Sequence, residues 1–90
     1  MKIRVQITTN ENMKYFNCEK NTIKEIELED YIACVVAGEM GNAPEEALKA
    51  QAIASRSYAC AQGVLEGKVI SDSAAKAQAF RAPRCTYKNC

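Results

Sequence analysis

Ninety residues, 48% hydrophobic and 26% charged, describe one small globular domain and exclude a disordered chain. A net charge of +1 provides no basic surface for nucleic acid or for an anionic membrane. The longest apolar run is far too short to cross a bilayer, and the N-terminal segment lacks the apolar core of a signal peptide.

The chain opens with alternation. Ile3, Val5 and Ile7 lie on one side and Arg4 and Gln6 on the other, which predicts a half-buried strand over 2–8. Asn10 to Asn12 is a turn cluster, and MKYFNC over 13–18 is expected to return as the second strand of a hairpin. A second turn at Glu19 to Asn21 leads to a third strand over 22–28, with Ile26 and Leu28 at period two. The period then changes. Leu28, Tyr31, Ile32, Val35 and Val36 follow the i, i+3, i+4, i+7, i+8 rule of an amphipathic helix. Its start is acidic, at Glu27, Glu29 and Asp30, and it is expected to stop near Gly41. Asn42 resembles an N-cap with Glu45 at N3, and Pro44 suits a first turn. A second helix is predicted from Pro44 to Gln62, closed by Gly63. Its alanines occupy more than one face, so neighbours can approach closely. Residues 68–71 read as a short strand, 71–80 as a loop or a single helical turn, and 81–90 as a polar tail.

The expected fold is α+β, a small antiparallel N-terminal sheet followed by two packed helices. The segments divide into strands over 1–28, a helical pair over 29–63, and a short strand, loop and tail over 64–90. Five cysteines without a CxxC pair are expected to be reduced, with Cys34 and Cys60 acting as small apolar side chains. Histidine is absent, which removes Ser-His and Cys-His nucleophilic sites and argues against a catalytic zinc.

Glu39 is the first chemical candidate. It lies eleven residues after Leu28, three helical turns on, and extends the apolar stripe. On that stripe it would face the core at a helix C-terminus, where burial and dipole both favour the protonated acid that general acid catalysis requires. The alternative is a frayed helix end with Glu39 turned to solvent, and spacing alone favours it. Gln51, Arg56 and Tyr58 interrupt the second helix, with Gln51 and Tyr58 seven apart on one face. They would line a polar groove, or Arg56 would pair with a carboxylate such as Glu39 or Asp72, which spacing favours. Asp72, Ser73, Gln78 and Phe80 form a third polar and aromatic group of the kind that binds sugars. Lys76 and Arg81 are read as solvated.

The stretch LEDYIACVVAGEMGNAPEEALKAQAIASRSYA, residues 28–59, closely resembles the signature region of the sporulation stage II protein D (SpoIID) family, also called the amidase-enhancer family. The match runs through both helices without a gap. SDSAAKAQAF, residues 71–80, resembles a later family segment more loosely. The resemblance implies a cell-wall enzyme, a lytic transglycosylase acting on peptidoglycan glycan strands and located in the cell envelope or outside the cell. It places the catalytic acid on Glu39 and makes Gln51, Arg56, Tyr58 and Gln78 candidate groove residues. No cofactor is expected. Sporulation-type members hold a zinc ion near the later segment, whereas this chain carries Ala75 and Lys76 there. Gly41 stands where a proline often follows the glutamate-methionine pair. The family domain is longer, so the chain looks like its N-terminal portion. Two other readings stand beside the enzyme: a glycan-binding module that enhances a cell-wall amidase without cutting, and an inactive truncated member.

Overall fold

The computed structural model describes residues 1–40 and 43–82. The first strand, β1 (Lys2–Ile7), is the centre of the molecule. Its alternation is realised: Ile3, Val5 and Ile7 are buried, while Lys2 and Arg4 are exposed. β2 (Thr22–Glu27) pairs antiparallel on one side, with Ile3 opposite Ile26 and Arg4 opposite Glu25. β3 (Val69–Ser71) pairs parallel on the other, with Val5 opposite Ile70. The sheet is therefore mixed, in the order β2-β1-β3, and the fold is α+β. The expected antiparallel N-terminal sheet is the β1–β2 pair; β3, which arrives after the helices, adds a parallel strand and can join β1 only by a crossover.

The expected strand over 13–18 is a helix instead, α1 (Asn10–Phe16). Thr9 caps its start, its hydroxyl accepting from the Asn12 backbone N–H at 3.4 Å. Asn17 ends it in the left-handed conformation at φ 54°. Met13 and Phe16, three apart, pack on the core. A period-two reading of MKYFNC misses that pair.

α2 (Leu28–Met40) lays Tyr31, Ile32, Val35 and Val36 on the inner face of the sheet, each buried, as the stripe predicts. α3 (Glu45–Ala61) returns beside it, so that Glu29 near the start of α2 meets Arg56 near the end of α3. Pro44 is extended, with ψ 153°, so α3 begins only at Glu45, which is its first helical residue and not the third. The proposed cap Asn42, the helix stop at Gly41 and the tail beyond Ala82 lie outside the described residues. Gly63, at φ 89°, turns the chain out of α3 as expected. A 3₁₀ turn (Val64–Glu66) then leads into β3.

Residues 72–82 form a strap across the end of the core. It contains one helical turn, closed by Ala77 N–H donating to the Ser73 carbonyl at 2.8 Å. Phe80 inserts between Phe16 and Tyr31, nearly parallel to both, with ring centroids 6.4 and 5.4 Å away. Among the described residues no helix is long and apolar enough to cross a membrane.

Cysteine chemistry departs from expectation. Cys18 and Cys60 are free thiols, but Cys34 is disulfide-bonded. It is buried in α2 where the strap crosses, with Arg81 N–H donating to its carbonyl at 3.5 Å. Its surroundings thus come from distant parts of the chain, which spacing along one helix cannot reveal.

Candidate functional site

Helix α2 carries Glu39 in its last turn. The stripe that precedes it is buried through Ala37, but Glu39 itself is exposed. Its expected projection into the core is therefore corrected. The helix nevertheless continues through Met40, so the exposure is not fraying. At Gly38 the strap passes so close that a Cβ would stand 2.5 Å from the Ala79 carbonyl oxygen. That approach needs a residue without a side chain, and it fixes the strap against the turn that presents Glu39.

A buried polar chain links the first turn of α2, the strap and α3. The Tyr31 hydroxyl donates to Gln78 Oε1 at 2.9 Å. Gln78 Nε2 donates to the Ser55 carbonyl at 3.3 Å, and Gln51 Nε2 donates to the Ser55 hydroxyl at 2.9 Å. Tyr31 and Ser55 are fully buried, and Gln78 is 7% exposed. Burial, and then the neighbouring Tyr58, Glu39 and Asp72, push the Tyr31 phenol far above its ordinary pKa. It is a neutral donor at any physiological pH. Glu39 and Tyr58 both act electrostatically on this hydroxyl.

The expected groove residues divide accordingly. Gln51, Ser55 and Tyr58 are spaced i, i+4, i+7 along one face of α3. Tyr58 keeps 36% of its surface exposed and Gln51 is half-buried, so both remain accessible. Gln78 is inside, with both ends of its amide engaged. Arg56 pairs with Glu29, not with Glu39 or Asp72. That pair borders a separate cleft of about 310 Å³ on the outer side of α2 and α3, with Ile32, Lys49, Ala52 and Ile53.

Asp72 is not in the groove. It is 1% exposed and accepts from five donors, the backbone N–H and hydroxyl groups of Thr8 and Thr9 and the Asn12 side-chain amide. Burial alone would raise its pKa, but the hydrogen bonds from Asn12, Thr8 and Thr9 outweigh it and hold the carboxyl below the ordinary aspartate value. Asn12 completes the hub. Its amide also donates to the Phe80 carbonyl at 2.7 Å and accepts from Ala82 N–H at 2.8 Å. Ser73 is half-buried, and its hydroxyl accepts from Ala75 N–H within its own turn. Phe80, expected as a sugar platform, is 2% exposed and belongs to the aromatic core. Arg81 pairs with Glu11 at 3.8 Å.

Three residues that organise the site escaped the sequence reading in this role. In the sequence Asn12 sits in a turn cluster, Tyr31 belongs to the apolar stripe, and Ser55 carries no signal of its own. Their signal is faint, since the contacts that give them this role span 23 to 70 positions. Among the described residues no group of three or more His, Cys, Asp or Glu side chains is placed to hold a metal.

Comparison with known proteins gives one result. No curated protein and no solved structure matches the chain. The family described as Stage II sporulation protein matches residues 17–89, across both helices, the strap and the sheet strands that follow α1. The match covers most of the sequence, and the chain belongs to the SpoIID family of stage II sporulation proteins.

Proposed function

We propose that the protein cleaves peptidoglycan glycan strands as a lytic transglycosylase, with Glu39 as its single acid and base. The observation that carries this reading is a solvent-accessible Glu39 carboxyl on an intact helix end, within the stretch the family match covers, with Gln51 and Tyr58 accessible on α3. Glu39 donates its proton to the glycosidic oxygen as the C1–O bond breaks, and an oxocarbenium-like sugar forms. The resulting carboxylate takes the proton of the same sugar's C6 hydroxyl, and O6 bonds to C1. The product is a 1,6-anhydro sugar, no water is consumed, and Glu39 regains its starting form. Tyr58 offers a ring face to a sugar, and the free amide oxygen of Gln51 offers an acceptor to a hydroxyl.

The Cys34 disulfide supports an envelope or extracellular setting, because disulfides persist in oxidising compartments. Peptidoglycan strands are the partner in this reading. The test is mass spectrometry of denuded glycan strands incubated with the protein. Anhydro-ended products that vanish with Glu39→Gln support the reading, and their absence with the wild-type protein refutes it.

A second reading is favoured by one observation: Glu39 is exposed and, among the described residues, no hydrogen bond or ion pair holds its carboxylate. The protein would then bind glycan and enhance a cell-wall amidase without cutting. Glycan pull-down that survives Glu39→Gln, with no anhydro ends, would select it.

A further inference from the structure

Gln78 stands at the junction of the three segments that build the site. It belongs to the strap, its amide oxygen receives the Tyr31 hydroxyl of α2, and its amide nitrogen reaches the Ser55 carbonyl of α3. At 7% exposure, with both ends of the amide occupied, it has little left to offer a sugar. Its chain neighbour Ala79 rests on Gly38, the residue before Glu39. The seating of Gln78 therefore sets the line along which the strap meets the last turn of α2. The other end of the strap is anchored separately, by Asp72 and Asn12. Losing the Gln78 contacts would free the site-facing part while leaving the strap attached.

We propose that Gln78 is a positioning residue for the reaction assigned to Glu39, an inference that rests on the lytic reading above: its amide locks the strap to α2 and α3 and so holds the acid-bearing turn in register with the groove. It acts through Tyr31 and Gly38 and does not touch the glycan. A carboxyl displaced by about an ångström from the glycosidic oxygen loses much of its effect, whereas binding along the groove is spread over other groups.

The test is steady-state release of anhydro ends from denuded glycan strands by the protein and by Tyr31→Phe, Gln78→Leu and the double variant. Each single change is expected to lower kcat by roughly tenfold or more with KM unchanged. The double variant should be no worse than the more damaging single, because Gln78→Leu already removes the bond that Tyr31→Phe deletes. Val64→Ala, which opens a core cavity away from the strap, should leave kcat unchanged at a temperature where it stays folded. Should Gln78→Leu fail to fold, Tyr31→Phe removes the same hydrogen bond by deleting one oxygen and carries the test alone. A raised KM with kcat intact would make Gln78 a sugar contact and overturn the proposal. Unchanged kcat in the Gln78 and Tyr31 variants, or an equal loss in Val64→Ala, would overturn it too. If the wild-type protein releases no anhydro ends, the lytic reading falls first and takes this role with it.

Discussion

Asp72 and Glu39 are both carboxylates in segments that resemble the family motif, and the molecule treats them in opposite ways. Asp72 is sealed inside, and five donors converge on it from Thr8, Thr9 and Asn12. Glu39 stands exposed in the last turn of its helix. A carboxylate wrapped in donors stays ionised and holds structure. A carboxylate without them is left open to solvent. Residue type and motif did not separate the two; their partners do.

The sharpest way to break this contrast is to neutralise each acid in turn. Glu39→Gln should abolish anhydro product, a loss of about a hundredfold or more, while its melting transition stays close to wild type because the side chain is exposed. Asp72→Ala should do the reverse in kind. It strands the donors of Thr8, Thr9 and Asn12, and chemical denaturation should register a loss of about 2–4 kcal/mol.

The same contrast has a pH signature. The folded Asp72 carboxyl titrates below its ordinary value of 3.8, so the unfolded chain binds its proton first as pH falls. Its stabilisation is complete above that value and is lost as pH drops through the lower, folded pKa. Acid unfolding followed by circular dichroism should therefore begin below about pH 4, and Asp72→Asn should flatten that limb.

A smaller effect is expected where the strap meets the acid. Alanine is the better helix former by about 1 kcal/mol, yet Gly38→Ala places a methyl 2.5 Å from the Ala79 carbonyl. A net loss of about 1–2 kcal/mol in urea unfolding would confirm the close approach; a gain would show that the strap yields freely. Smallest of all is Arg56→Ala. Its partner Glu29 is 73% exposed, so stability should change by no more than about 1 kcal/mol.

What the sequence disclosed follows the range of each interaction. Ile3, Val5 and Ile7 announced β1, the Tyr31 to Val36 stripe announced α2, and Gly63 marked the end of α3, because each signal lies within a few residues. MKYFNC is too short for either period to win, and its helix depends on the Thr9 cap and on Phe16 meeting Phe80. The parallel seat of β3 and the hub at Asn12 arise from pairings across most of the chain. In the site, the motif singles out Glu39 but the stripe argument aimed it the wrong way, since burial ends at Ala37. Gln78 and Asp72 were recognised as polar residues worth naming, but whether such a residue faces glycan or framework is decided by neighbours that no local pattern specifies.

The parallel pairing of β3 with β1 has a consequence for how the chain assembles. Arg4 waits for Val69, and Thr8 and Thr9 wait for Asp72. Of these three strands, the one made first is the one completed last. Until residue 72 has emerged, β1 is an open edge and the Thr8–Asn12 corner has no anion to close around. Pairing of β1 with β2 across α1 and zipping of α2 onto α3 are comparatively local and can come early, whereas closure of the long loop between β1 and β3 is expected to be slower. A chain still emerging would thus hold β1 without one of its two neighbours, and would acquire its core only as the strap follows.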